Sequence, residues 1–441
     1  YVDYKREPLI PQMQSKKGPD LAIADINQDG LEDFVMSGST TSDMQVMLQT
    51  AGGKFVKSNI DLAPLKGKEE LALHFFDANG DKYPDLYVGC GSNEFGSLLS
   101  AEFQDHIYIN KNGVLTNDGE ELPNLKTNTT CVVSNDMDGD GDLDLFLGAG
   151  VVPGDYPIAA PSKVLKNDNG KFTDVTLDWI PALNSKTLIN AAEFADIDGD
   201  DKKELIVAGE WMPVTVFKAD GTVWKDVTAD LGLSSDLGWW KSLSLTDLDG
   251  DGDLDIIAGN EGLNSQYEAS VEKPIYVDYG DFDGNGRHDA ILSQYYGDVL
   301  APIYSYPDIE MQMKYLINSL YKYYRDYAST TTAQLLSNTL GSTRLSANTL
   351  SSVCFINDGG NFTKKELPST AQFAPIFGFT SLDINGDGNL DVLGVGNSFD
   401  NKIEHGWTDA LHDLALVNDG KGNFTEWPNT GFDVPGNAKR V

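Results

Sequence analysis

The chain has 441 residues, 40% of them hydrophobic and 10% aromatic, and a formal net charge of −36. That apolar content supports a folded core and excludes an acidic disordered tail, while the length suits two or three ordinary domains or one large repeat-built domain. The charge excludes a surface for nucleic acid or anionic membrane, which needs clustered Lys and Arg, and only five arginines occur: Arg6, Arg287, Arg325, Arg344 and Arg440.

From the N-terminus onward one pattern recurs seven times: an apolar stretch, D-x-[DN]-x-[DN]-x-x-x-[DE], then a second apolar stretch rich in glycine. The first copy, DINQDGLED, carries Asp25, Asn27, Asp29 and Asp33 between LAIA and FVMSG. A turn hairpin follows from Met44, MQVMLQTAGGKF. The second copy, DANGDKYPD, carries Asp77, Asn79, Asp81 and Asp85, and its turn hairpin starts at Asp105, DHIYINKNGVL. The third, DMDGDGDLD, carries Asp136, Asp138, Asp140 and Asp144, with SKVLKNDNGKFTDVT following from Ser162. The fourth, DIDGDDKKE, carries Asp196, Asp198, Asp200 and Glu204, with PVTVFKADGTVWKDVT from Pro213.

The fifth copy, DLDGDGDLD, carries Asp247, Asp249, Asp251 and Asp255, and the sixth, DFDGNGRHD, carries Asp281, Asp283, Asn285 and Asp289. No turn hairpin separates these two. Residues 297–350 then break the repeat: Ile309, Met313, Leu316, Leu320, Tyr324 and Tyr327 recur at a spacing of three and four, which predicts an amphipathic helix starting at Pro307–Asp308. A second short helix is predicted from Thr332 to Leu340. A turn hairpin from Ser351, SSVCFINDGGNFTKKE, precedes the seventh copy, DINGDGNLD, with Asp383, Asn385, Asp387 and Asp391. The last hairpin is DLALVNDGKGNFTEW from Asp413.

The spacing suits calcium, a hard cation that takes six to eight oxygens at about 2.3–2.6 Å. Side chains at positions one, three, five and nine of a tight loop can converge on one ion, with the position-seven carbonyl completing the set. Glycine at position six permits the turn; it is Gly30, Gly141, Gly252, Gly286 and Gly388, whereas Lys82 and Asp201 stand there in copies two and four and predict looser loops. Copies three and five, all aspartate with the glycine, are expected to bind most tightly. EF-hands are excluded, because position twelve is apolar (Met36, Leu147) and the flanks read as strands. The expected cofactor is therefore Ca2+, up to seven ions.

A metal-loop hairpin plus a turn hairpin makes a four-stranded blade, so the fold class is all-β: one seven-bladed propeller domain over residues 1–441, with a helical insertion at 297–350 between the sixth and seventh motifs. If motifs five and six share a blade, the count is six. The three cysteines, Cys90, Cys131 and Cys354, lie in apolar strand-like stretches and read as small hydrophobes.

The nine-residue loops resemble the FG-GAP/VCBS repeats of integrin α-subunit propellers. The order of segments such as GPDLAIADINQDGLEDF, AGEWMPVTVF and GWWKSLSLTDLDGDGDLDIIAGNEGLNS is similar to bacterial VCBS proteins of the Bacteroidetes type, related to the ASPIC/UnbV group. The resemblance implies a calcium-binding propeller outside the cell or in the periplasm, with any lipid anchor upstream of this chain. It implies no reaction. Near Gly406 that group often has G-R-Y-D-A, whereas this chain has Gly406-Trp407-Thr408-Asp409-Ala410.

Function is therefore read as an adhesion or binding module for a glycan or protein, an outer-membrane complex among the candidates. The alternative is a propeller-based polysaccharide lyase or hydrolase, but the histidines His74, His106, His288, His405 and His412 fall in no catalytic motif. Trp239, Trp240, Tyr315 and Tyr323 are candidate ligand-binding residues, with Trp407 a further platform for a sugar. The helical insert is expected to pack on one rim of the propeller and border the binding cleft, near Trp239 and Glu261-Gly262.

Overall fold

The computed structural model describes residues 1–439 apart from 61, 63–66, 118–121, 338, 340, 413 and 428–435. The chain folds into seven antiparallel sheets of four strands, consistent with a seven-bladed propeller. Each metal-loop motif connects two strands of its own sheet: Leu21–Ala24 to Asp33–Met36, Glu70–Phe76 to Asp85–Cys90, Thr129–Asn135 to Asp144–Ala149, and so on through Ile376–Leu382 to Asp391–Gly396. The six turn hairpins supply outer strands, such as Gln45–Gln49 with Phe55–Lys57 and Val353–Asn357 with Phe362–Glu366. An extra strand, Gly238–Trp239, pairs with Glu204–Met212 of the fourth sheet.

The seven sheets are not connected in simple succession. The fifth is Ser242–Thr246 and Asp255–Gly259 completed by Val353–Asn357 and Phe362–Glu366, so the sixth-motif sheet is spliced into it. That sixth sheet comprises Ile275–Gly280, Asp289–Tyr296, Val299–Pro302 and Thr343–Ala347. Motifs five and six thus have a sheet each, although one sheet interrupts the other. Apolar clusters join sheets one and two, two and three, three and four, four and five, and then five and seven through Ile257, Cys354, Val392 and Leu416. A channel cavity of about 220 Å³ is lined by Asp20, Leu73, Val132, Glu193, Leu243 and Phe379, from six sheets or the residue entering them, and by nothing described from the sixth.

The sixth sheet packs instead with helices Tyr306–Gln312, Lys314–Leu320, Tyr324–Tyr327 and Thr332–Leu335. Ile309, Met313 and Ile317 are fully buried there with Leu9, Ile10, Tyr156, Trp211 and Trp239. Of the predicted stripe Ile309, Met313 and Tyr327 are buried and Leu316 and Leu320 partly so, but Tyr324 is exposed, and the break at Met313 splits one expected helix into several. Ser305 caps the first by accepting the Asp308 N–H, with proline in the first turn. All three cysteines are buried and none forms a disulfide.

One side chain repeats between sheets. Asn110, Asn167, Asn357 and Asn418, each 0–1% exposed, are the last residue of a third strand or, for Asn167, the last but one. Each donates Nδ2–H to the position-two carbonyl of the preceding motif: Ile26, Ala78, Ile197 and Leu248, at 2.6–2.9 Å. Each also bonds its own position-eight carbonyl at 3.0–3.2 Å. Asn418 reaches motif five, not motif six. Asn357→Ala would leave the Ile197 and Leu254 carbonyls without this donor, and is expected to destabilise by about 3 kcal/mol in denaturant unfolding. Exposed Asn361→Ala should stay within about 0.5 kcal/mol of the parent.

Candidate metal loops and a polar cleft

The loop is wound around its position-one aspartate, whose oxygens accept N–H groups from within the loop. Asp25 takes Asp29 and Gly30 at 3.0 and 2.8 Å, Asp247 takes Gly250 and Gly252 at 2.7 and 3.1 Å, and Asp383 takes Gly386 and Gly388 at 2.7 and 3.0 Å. Asp77, Asp136, Asp196 and Asp281 do the same. Position six turns through the left-handed region. Lys82 (φ 70°) and Asp201 (φ 66°) adopt it as the glycines do, and their N–H groups reach Asp77 and Asp196 at 2.8 Å. Loops two and four thus keep the hub hydrogen bonds without glycine, at the cost of a non-glycine residue in the left-handed region.

The ninth-position carboxylates, Asp33, Asp85, Asp144, Glu204, Asp255, Asp289 and Asp391, are 0–2% exposed. One oxygen accepts the position-two N–H of its own loop at 2.7–3.1 Å. In five motifs the other accepts a third-strand N–H, from Gln49, Asn110, Asn167, Asn357 or Asn418, at 2.7–2.9 Å. In motif six the helical insert does this work, with Gln312 Nε2 donating to Asp289 at 2.7 Å. Burial, reinforced by the neighbouring loop carboxylates, pushes Asp85, Asp144 and Asp255 up to about 6. Asp289 is raised to about 6, chiefly by burial.

Four loops bring three acidic oxygens within 4.8 Å of one another: Asp136, Asp138 and Asp144; Asp196, Asp198 and Glu204; Asp247, Asp249 and Asp251; and Asp281, Asp283 and Asp289. In motifs one, two and seven Asn27, Asn79 and Asn385 take position three, and no acidic triad closes so tightly among the described residues. Whether the residues fit a metal is answered most directly in motif five. Asp249 Oδ1 there is buried without a hydrogen-bond partner beside Asp247 and Asp251. A buried, unpaired carboxylate oxygen among other carboxylates is costly unless a cation meets it, so this loop fits a hard divalent ion.

The candidate aromatic residues separate. Trp239 and Trp240 are 1% and 0% exposed, so neither presents a ring to a ligand. Trp239 packs between Trp211 and Tyr267, each centroid 4.9 Å away, and Trp240 donates Nε1–H to the Met212 carbonyl at 2.9 Å. Tyr315 is exposed on the helix Lys314–Leu320, and Tyr323 is half-exposed with the Arg325 guanidinium 5.0 Å from its ring. The structure does not bring these four together.

A polar cleft of about 290 Å³ lies elsewhere, lined by Glu261, Asn264, Ser265, Gln266, Tyr267, Asn401, His405, Trp407 and Thr408. Trp407 is 65% exposed, and its ring lies 4.8 Å from that of Phe399. Gln266 Nε2 meets His405 Nδ1 at 2.7 Å, and Asn401 Oδ1 is buried without a partner. Burial, with Lys402 adding, lowers His405 and favours neutral imidazole. Lys402, next to Asn401, pairs with Asp308 at 3.0 Å, which ties the first insert helix to this loop. Of these residues the sequence singled out Trp407 and Glu261. The rest come from loops 261–267 and 401–408, which carry no motif.

Residues 25–88 and 196–258 match the family model of the FG-GAP-like repeat, so the chain carries FG-GAP-like repeats. No curated protein sequence matches. Among solved structures, the chain is similar to an Agrocybe aegerita lectin described as recognising non-reducing terminal N-acetylglucosamine. Identity is 14%, over 94% of this chain and 79% of that one, with a TM-score of 0.39. It is also similar to the V. cholerae biofilm matrix protein Bap1, at 11% identity over 100% of this chain and 83% of that one, with a TM-score of 0.36.

Two outcomes follow from the loops. Asp201→Gly relieves the left-handed strain in motif four and should raise stability by about 1 kcal/mol in urea unfolding. The second concerns pH in excess chelator. Asp85, Asp144, Asp255 and Asp289 titrate at about 6 when folded, against about 3.9 for unfolded aspartate. The native state binds more protons between those values, so their contribution is fully present below about 4 and is lost as pH rises through 6. The chelated protein should therefore have a lower urea midpoint at pH 7.5 than at pH 5; a higher one would contradict this account.

Proposed function

We propose that the protein is a calcium-stabilised extracellular binding module that takes a glycan in the Trp407 cleft. The observation that carries the reading is an indole 65% exposed at the edge of a polar cleft of about 290 Å³. A sugar offers an apolar C–H face, which stacks on an aromatic ring, and hydroxyls, which suit planar amides. Trp407 supplies the ring; Asn264, Gln266 and Asn401 supply amides, and the unpartnered Asn401 oxygen needs a donor such as a hydroxyl. Binding is favoured over catalysis because Glu261 is engaged by Gln12 at 2.7 Å and Lys241 at 3.5 Å, and His405 by Gln266. That leaves no free acid–base pair among the cleft residues.

Calcium is the cation the loops suit, through their hard oxygen donors and the abundance of carboxylates in a chain of charge −36. Calcium is plentiful outside cells, where even modules with dissociation constants of about 10⁻⁴–10⁻³ M fill, which supports an exported protein. Placement at a cell surface or in a larger surface complex belongs to the same reading.

Trp407→Ala should abolish signals that the calcium-loaded parent gives on a glycan array while leaving the melting temperature within a degree or two. Undiminished binding by the variant would remove the cleft from the reading. Excess EDTA should lower the melting temperature substantially, with recovery in calcium and poor recovery in magnesium, which demands a smaller octahedral site. An unchanged melting temperature after complete chelation would remove calcium.

A further inference from the structure

Motifs three and five are nearly identical in sequence, yet the third-strand side chain across from their ninth position differs, Lys166 in one and Ile356 in the other. The register Leu145↔Leu165 puts Lys166 across from Asp144, and Leu205↔Phe217 puts Lys218 across from Glu204. The same register position is Leu48 in motif one, Ile109 in motif two, Ile356 in motif five and Val417 in motif seven. Among these six motifs only three and four have a cation there, and in motif six no third-strand residue stands opposite Asp289, which Gln312 reaches instead.

Both lysines reach into the carboxylates of their loop. Lys166 Nζ bonds Asp138 and lies 2.9 Å from Asp140 Oδ2. Lys218 Nζ bonds Asp198 and lies 2.9 Å from Asp200 Oδ2 and 3.3 Å from Glu204 Oε1. The oxygens at positions three and five that a metal would draw on are thus already charge-paired. In motif five, where Ile356 offers no charge, Asp249 Oδ1 stays buried and unpartnered.

We propose that Lys166 and Lys218 are tethered counter-ions that take the place of calcium in motifs three and four, so that the chain has two classes of loop, metal-closed and lysine-closed. An ammonium at this distance repels a divalent ion seated among the same carboxylates and holds two of its ligands. For calcium to enter, the lysine must leave its partners, so these loops fill last and weakest. A lysine adds no ordering cost that depends on free metal, so loops three and four keep their shape when calcium is scarce. The inference rests on calcium being the ion of the other loops.

The test counts calcium per chain by native mass spectrometry and isothermal titration for the parent, Lys166→Met, Lys218→Met and the double variant. Each single change should add one tight site, with affinity at that loop rising at least tenfold, and the double change should add two. In the parent, Asp138→Asn should leave the tight-site count unchanged while Asp249→Asn lowers it by one. This arm holds even if the methionine variants fold poorly. Leu48→Lys should convert motif one and remove a site. The proposal is overturned if the methionine variants bind calcium with the parent's count and constants, or if Asp138→Asn removes a tight site. A parent that binds no calcium at all overturns this proposal together with the calcium reading, whereas calcium binding with no lysine effect overturns this proposal alone.

Discussion

The buried carboxylate at the ninth position is the constraint on which the rest of the architecture hangs. It sits at the start of the second strand, out of water, where an ionised group survives only if its lone pairs are filled. One oxygen closes its own loop through the position-two N–H, and in most motifs the other fixes a residue at the end of the third strand. That residue is commonly asparagine, whose side chain then reaches the preceding motif. Loop shape, strand pairing and contact between neighbouring sheets therefore share one set of atoms. Removing the carboxylate would loosen all three at once, and this is why the motif recurs with so little variation at that place.

Two motifs show how the same constraint is met with different parts. In motif six the third-strand amide is missing and Gln312 of the helical insert fills Asp289, so the insert is part of the loop's own hydrogen bonding. In motif four Ala219 stands where other motifs have asparagine, and Lys218 comes to the Glu204 carboxylate from the side. The fourth sheet compensates with a long apolar strand, Glu204–Met212, buried along its whole length. Packing there replaces a polar link between sheets.

Electrostatics set the division between scaffold and surface. With 68 acidic against 32 basic residues, the chain must either leave its carboxylates in water or give them partners. The exposed loop aspartates keep theirs in hydrogen bonds to backbone N–H groups and in whatever cation the loop takes. Lysines drawn into the interior are paired, Lys241 by both Glu210 and Glu261, Lys402 by Asp308 and Lys439 by Asp400. The Trp407 cleft stands apart from this. Its lining is mostly amides, hydroxyls and rings, with Glu261 shared with the Lys241 pair, and its loops belong to no repeat.

The sequence by itself determined the repeat, the strand–loop–strand unit, the turn hairpins and the apolar stripe of the insert, because each is a matter of spacing within a few residues. In four loops three acidic oxygens out of positions one, three, five and nine come together through local backbone turns, so that much of the grouping was legible as well. What only the tertiary structure decided involves partners far apart in the chain. The hairpin from Ser351 completes the sheet begun at Ser242, across the spliced sixth sheet, because sheet five must pack on sheet seven to continue the run of sheets around the channel. Trp239 and Trp240 were indistinguishable in sequence from Trp407, since burial depends on what the fold lays over a ring. Lys166 reads as one more turn-flanking lysine until strand register sets it opposite Asp144. Spacing encodes what neighbours in sequence do, but which distant group fills a carboxylate or covers an indole is fixed only when the sheets close on one another.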